Sequence, residues 1–247
     1  MLIEITIGNY KSIREAVTLS LVAAGIKELE KNNVFLFEKE KIKLLKSSVI
    51  YGPNAGGKSN FIEAIAFMRQ FILSSHERSE EDEIPIKPFR LDGISQSNPS
   101  FFECIFVLDD IRYKYGFKIL KTHIYEEYLY SYPAGRQRKL FERKEQNITT
   151  GSHFDKESKK FISHVRKNTL FLSMLAQLNI DLSLKLYNWF KYKLQIISGL
   201  DDQSYAGFTI HLLQQEAYKE KILKFLKIAD LDINDIKLTK VAPSELL

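Results

Sequence analysis

The stretch Ile50-Tyr51-Gly52-Pro53-Asn54-Ala55-Gly56-Gly57-Lys58-Ser59-Asn60 holds the residue types that a bound polyphosphate needs, at the spacing it needs them. From Gly52 to Ser59 it fits G-x-x-x-x-G-K-[ST]. Gly52, Gly56 and Gly57 let the backbone curl and bring its N–H groups close to one point. Lys58 would reach the β- and γ-phosphates as a point charge, and the Ser59 hydroxyl would ligate Mg²⁺, a hard cation that shares oxygen ligands with phosphates. The expected nucleotide-binding residues are therefore Gly52, Pro53, Asn54, Ala55, Gly56, Gly57, Lys58, Ser59 and Asn60. ATP and Mg²⁺ are the expected cofactors, with Ser59 as the metal ligand.

Such a loop works only between elements that hold its two ends. Leu44 to Tyr51 is β-rich and ends in an apolar pair, which predicts a strand entering the loop. Phe61, Ile62, Ala64, Ile65, Phe67, Met68, Phe71 and Ile72 recur at helical spacing and predict a helix from Lys58 to Ser74. Its first N–H groups and the positive end of its dipole would face the phosphates.

The rest of the chain reads as follows. Leu2 to Ile7 and Val17 to Val22 are strands around a Gly8–Ser12 turn, and Asn33 to Phe37 is a weaker strand. Residues 75–98 are charged and broken by Pro85 and Pro88, an excursion over the surface expected to be mobile. Phe101–Leu108, Ile111–Leu120, His123–Tyr132 and Arg138–Lys144 form an aromatic-rich antiparallel meander. Asp109-Asp110 sits at its first turn. Short helices follow from Lys156 to Val165 and on either side of Asn179-Ile180-Asp181, with Asp181 a candidate cap. A long helix is expected over Tyr205–Ile228 and a last strand over Ile236–Val241. The division this suggests is 1–74 (N-terminal strands, phosphate loop and helix), 75–150 (excursion and meander) and 151–247 (helical subdomain ending in a strand).

Composition sets the outer bounds. At 247 residues and 45% apolar, the chain is long enough to bury a substantial core. No apolar run approaches a membrane span, and the N-terminus alternates as a strand does rather than as a signal peptide. Cys104 is the single cysteine, which excludes an internal disulfide and suits a cytoplasmic location. The five histidines show no ligand spacing with it. Net charge is +5, and from Arg136 to Lys167 ten basic residues face four acids, a local +6 that suits DNA, RNA or an acidic partner as well as a solvated surface.

A resemblance sharpens this reading. Ile5-Thr6-Ile7-Gly8-Asn9-Tyr10-Lys11-Ser12-Ile13, with Val17 to Leu21 and the loop Gly52–Asn60, resembles the opening of the ABC-type ATPase heads that include the SMC-like and RecF-like proteins. Pro99–Glu103, Glu126–Tyr130 and Leu170–Ser173 resemble the prokaryotic AAA/ABC-like ATPases of restriction-associated and abortive-infection (phage-defence) operons. The resemblance implies an α/β fold: a P-loop NTPase of the ABC-ATPase-like head type, with an antiparallel β subdomain and an inserted helical region. It implies an ATP hydrolase whose cycle controls a partner effector, such as a nuclease, and which closes over ATP as a head-to-tail homodimer. It also brings Lys11 and Ser12, in the turn after the first strand, near the nucleotide.

The family's signature segment, Walker B acids and switch histidine lie toward the C-terminus, and none is matched here. Phe106–Asp110 has the look of a Walker B strand, but the alternation on both sides favours a hairpin turn. Ser198-Gly199 only echoes a signature. The chain therefore reads as an N-terminal half that binds Mg-ATP and hydrolyses it poorly alone, with no catalytic base assigned. The alternative is a non-hydrolysing ATP-binding or nucleic-acid-binding module. A metabolic kinase fits less well, because 51 residues of mostly β-like chain precede Gly52.

Overall fold

The computed structural model describes residues 1–197, 203–229 and 233–239. They fall into two compact units, 1–196 and 197–247.

The first unit is a mixed α/β structure built on a seven-stranded sheet. Its strands are β1 (Leu2–Gly8), β2 (Val17–Ser20), β5 (Ser100–Leu108), β6 (Ile111–Ile119), β7 (Ile124–Tyr132), β8 (Arg138–Lys144) and β9 (Asn147–Thr150). The order across the sheet is β2-β1-β5-β6-β7-β8-β9, and every pairing is antiparallel. The N-terminal hairpin and the meander thus make one sheet. Asp109 and Asp110 both have positive φ, 49° and 55°, the backbone of a two-residue hairpin loop whose twist suits the strands it joins. β9 was not legible in the sequence: it has four residues and reads as loop.

Alternation along the strands turns Ile5, Ile7, Phe102, Cys104, Phe106, Tyr115, Phe117 and Leu129 to one face, all fully buried. Across that face lies α2 (Lys58–Ser74), with the bounds its periodicity predicts. It buries Phe61, Ala64, Ile65, Met68, Phe71 and Ile72, and Phe71 packs on Phe117 with ring centres 5.7 Å apart. α4 (Phe171–Gln177) and α5 (Asp181–Tyr192) complete the cover. Asp181 is not the cap of α5; Ile180 holds that position, and Asp181 pairs with Lys185 one turn on, at 2.9 Å. Arg69 of α2 donates to the carbonyls of Phe190 and Lys191 at the end of α5, 3.0 and 2.9 Å away.

On the opposite face a four-residue helix, α1 (Glu30–Asn33), leads into a hairpin of β3 (Val34–Phe37) and β4 (Ile42–Leu45). Phe37 and Leu44 pack with Ile3 of β1, and Arg112 pairs with Glu40 at 2.8 Å. The strand expected over Leu44–Tyr51 stops at Leu45. Residues 46–53 join no sheet among the described residues, and Val49 and Tyr51 are 81% and 89% exposed. β-propensity without a neighbouring strand gives no ladder, so Ser47 to Tyr51 stays outside any sheet.

The 75–98 stretch is tied down. Ile84 and Ile86 are buried, Asn168 donates to the carbonyls of Ser79 and Asp82, and α3 (Gly93–Ser97) is capped by Asp92, which accepts from Ser95 N at 2.6 Å. Backbone and side-chain hydrogen bonds from Ser95 hold the Asp92 carboxyl below its usual pKa. Residues 157–164 form a 3₁₀ run where a helix was expected.

In the second unit, the single helix expected over Tyr205–Ile228 is two: α6 (Gln203–Leu213) and α7 (Glu216–Ile228). Of the strand expected over 236–241, residues 236–239 are not in a strand, and 240–241 lie outside the described residues.

Candidate functional site

Two segments remote in sequence meet at the N-terminus of α2. One is the loop 52–57; the other is the tight turn between β1 and β2. In that turn Tyr10 and Ile13 exchange backbone hydrogen bonds at 2.8 and 2.7 Å, leaving Lys11 and Ser12 at the tip. Ser12 Oγ accepts from Asn60 Nδ2 at 2.7 Å, and Lys11 pairs with Glu63 one turn further along α2. Asn9 anchors the turn from behind. Its Nδ2 donates to the carbonyls of Ser95 and Asn98 at 2.8 and 2.9 Å, and its Oδ1 accepts from Phe89 N.

The loop conformation depends on its glycines. Gly57 has φ 87°, in the left-handed region, and a Cβ there would stand 3.1 Å from Ser12 Oγ. A Cβ on Gly56 would stand 3.0 Å from the Pro53 carbonyl, which already accepts from Gly56 N. Close approach is therefore built in at both positions, to the Pro53 carbonyl at Gly56 and to the Ser12 side chain at Gly57. Ala55 also takes a left-handed φ, 62°, with only a methyl to accommodate.

The first backbone hydrogen bond of α2 runs from Phe61 N to Gly57 O, at 3.0 Å. The helix has no side-chain cap and no acid in its first turn. The N–H groups of Lys58, Ser59 and Asn60 precede that first bond, so the helix itself does not use them. Lys58 Nζ donates to the carbonyls of Gly52 and Pro53, both at 2.8 Å, which centres the ammonium over the loop and leaves its third N–H for an anion. A cavity of about 330 Å³ is lined by Asn54, Ala55, Gly56, Gly57, Lys58, Ser59 and Asn60. The donor set is cationic and N–H-rich, with one hydroxyl, Ser59, suited to a Mg²⁺ that takes most of its oxygens from phosphate and water.

The structure thus gathers all the loop residues named from the sequence, and it sets Ser12 against them. Lys11 is beside them but faces Glu63. Partial burial and the neighbouring Lys87 push its pKa down. Glu63 was not foreseen; it sits on the polar face of a helix, where nothing in spacing alone sets it apart. Among the described residues no His, Cys, Asp and Glu cluster could hold a metal by itself. Asp109-Asp110 lies at the far end of β5 from the end beside Gly8, about 25 Å along a nine-residue strand.

The family model described as "AAA domain, putative AbiEii toxin, Type IV TA system" matches residues 47–173, more than half of the chain. The chain belongs to this family. It is accordingly an AAA-type domain of the nucleotide-binding ATPase class, with the abortive-infection kinship that its motifs suggested. The match begins just before the glycine loop and ends in α4. No curated protein matches the sequence.

Two of the stretches that carried the resemblance touch each other in this AAA domain. Glu127 is fully buried and accepts from the N–H groups of Phe171 and Leu172, at 2.8 and 3.1 Å, and from Tyr115 OH at 2.9 Å. Arg143, also buried, lies 3.7 Å away and donates to the Thr169 carbonyl at 2.6 Å. Burial pushes the Glu127 pKa up, against the pull of Arg143 and the three donors. Arg143 therefore belongs to the interior and not to the basic surface of 136–167.

Proposed function

We propose that this AAA domain has the P-loop NTPase fold and binds Mg-ATP at Gly52–Asn60. In this reading Lys58 and the first N–H groups of α2 hold the β- and γ-phosphates, and Ser59 holds Mg²⁺. The bound metal would neutralise charge developing on the phosphates. The observation that carries the reading is the uncapped N-terminus of α2 under a loop with little room for a Cβ at Gly56 and Gly57, with Lys58 centred across it. We further propose that the nucleotide state controls a partner effector, such as a nuclease, in a phage-defence setting, and that two copies close over ATP through this face. The family kinship supports that setting.

A second reading, binding without efficient turnover, is favoured by one feature. The carboxylate nearest the loop in the helix, Glu63, is held by Lys11, and Asp109-Asp110 lies at the other end of the sheet. Contact with DNA or RNA through 136–167 would rely on exposed residues such as Arg138, Lys144, Lys159 and Lys167.

Titration calorimetry of the purified chain with Mg-ATP tests the reading, with Lys58→Ala as the control. Loss of one charge-assisted phosphate contact is expected to weaken binding at least about tenfold. Turnover assayed in the same samples is expected to be near background. Absence of Mg-ATP binding by the folded wild type would remove the proposal.

A further inference from the structure

The face of the sheet turned away from α2 is covered only in part. The β3–β4 hairpin packs there against Ile3, Ile105 and Val107. Beyond it, the outward positions of β7 are Tyr128, Tyr130 and Tyr132, each half-buried, between the buried Leu129 and Ser131. A sheet face that meets solvent asks only for polar residues, so three successive tyrosines are more than the fold requires. Tyr128 lies across β6: a Cβ on Gly116, its register partner, would stand 2.5 Å from the Cζ of the ring. Tyr130 stands beside it, with ring centres 5.5 Å apart and planes inclined by 33°. Both rings line a cavity of about 450 Å³ that also takes in Glu142, Lys144, Asn147 and Thr149.

The rings are held in place before anything binds. Tyr128 donates its hydroxyl to Glu103 at 2.5 Å, and Tyr130 donates to Glu142 at 2.6 Å. Burial and these carboxylates push both phenol pKa values up, so the hydroxyls stay protonated and keep donating. The next ring, Tyr132, already carries a planar cation, Arg112, 4.1 Å from its centre. The acids of this face are each matched by a lysine: Glu103 by Lys114, Glu126 by Lys118 and Glu142 by Lys139, at 2.8, 2.8 and 3.1 Å. Arg138 and Lys144 are exposed and have no carboxylate partner among the described residues. They stand at the two ends of β8, about 20 Å apart along the strand. The register pairs Lys144 with Glu126 and Arg138 with Ser131, which places Tyr128 and Tyr130 between the two free cations.

We infer that this outer face of β6–β8 binds a single-stranded nucleic acid, its bases stacked on Tyr128 and Tyr130 and its phosphates on Lys144 and Arg138. Fixed aromatic rings flanked by cations suit unpaired bases on a charged backbone. A duplex keeps its base faces inside its own stack and can use only the cations. The inference rests on the nucleic-acid contact considered above and deepens it: it names the strandedness and moves the recognition from the whole basic run to the tyrosines beside its first part.

The test is fluorescence anisotropy of the full chain with labelled oligothymidine, labelled oligouridine and a DNA duplex of the same length. Wild type is expected to bind a single strand about tenfold more tightly than the duplex, and the better of the two single strands names the sugar. Tyr130→Leu is expected to weaken single-strand binding about tenfold, the scale of one base–aromatic stack, while Tyr130→Phe stays within about twofold. Circular dichroism checks that both variants are folded. A second measurement needs no variant: wild type is irradiated with a thiothymidine-substituted strand, and peptide masses are expected to place the cross-link at Tyr128 or Tyr130. Cross-links confined to 156–167, with Tyr130→Leu binding as wild type does, overturn the tyrosine site and leave the basic run as the nucleic-acid contact. Equal affinity for single strand and duplex, or displacement of the strand by polyglutamate at matched charge, overturns it as well, because charge alone would then account for binding. No binding of any strand at low salt overturns both readings together.

Discussion

Glu127 shows how a single residue can be conspicuous in the sequence without declaring its role. It lies at an inward position of β7, opposite Phe117, where strand alternation demands an apolar side chain. The structure supplies the reason for the exception: the carboxylate stands in for the missing cap of α4, receiving the N–H groups of Phe171 and Leu172, while Arg143 offsets its charge and gathers the carbonyls of Arg166 and Thr169. One buried pair therefore fixes the sheet, the loop 166–170 and the start of α4 in mutual register. Glu127→Ala removes one partner and strands the other, which is expected to cost about 3–5 kcal/mol. Glu127→Gln keeps an acceptor and is expected to cost about half of that or less. Urea denaturation followed by circular dichroism measures both; equal stability of Glu127→Ala and wild type would show that the network carries no net weight. At this scale the chemistry of the glycine loop was legible because each residue type has a backbone or phosphate reason to be there. The Glu127–Arg143 pair was not, since Arg143 looks in sequence like one more charge in a basic run.

Among the elements, those that carry their own signal were legible and those that need a neighbour were not. The meander strands alternate over seven to nine residues, and α2 places apolar residues on one face for four turns, so their bounds follow from local pattern. β9 owes its pairing to β8 alone. The break between α6 and α7 falls at Gln214-Gln215, neither of which is a helix breaker, so no local signal marks it. The segment before the glycine loop is the instructive failure: Ser47 to Tyr51 has the composition of a strand, yet the described residues offer it no ladder partner, and β4 ends at Leu45. Backbone amides at 48–51 are therefore expected to exchange with deuterium near free-chain rates, whereas those of 62–74 in α2 are protected by about 10³-fold or more. Slow exchange at Val49 and Ile50 would mean that the segment pairs in solution, through self-association or otherwise, and a concentration series would tell which.

For the molecule as a whole, the decisive fact is how completely the first unit contains what the site needs. Among the described residues, every buried residue of the main apolar cluster, from Ile5 to Leu194, lies within 1–196, as do the turn at Lys11 and Ser12 and the loop 52–60. The sequence placed residues 151–196 with a helical subdomain, but α4 and α5 add Leu172, Leu175, Leu186, Trp189 and Phe190 to the same core as α2 and the sheet. Helical periodicity identifies a helix and its apolar face; it does not say which body that face covers. A chain ending at residue 196 is accordingly expected to fold cooperatively and to bind Mg-ATP within about threefold of the full chain, a difference well under 1 kcal/mol. ATP at about 100 times its Kd should raise the stability of both chains by about 2.7 kcal/mol, read as a shift in Tm. If the shorter chain folds but loses that protection, residues 197–247 contribute to holding the nucleotide, and the site extends beyond the glycine loop, the β1–β2 turn and β2. If both chains are protected alike, the glycine loop and the N-terminal hairpin are sufficient to hold the nucleotide.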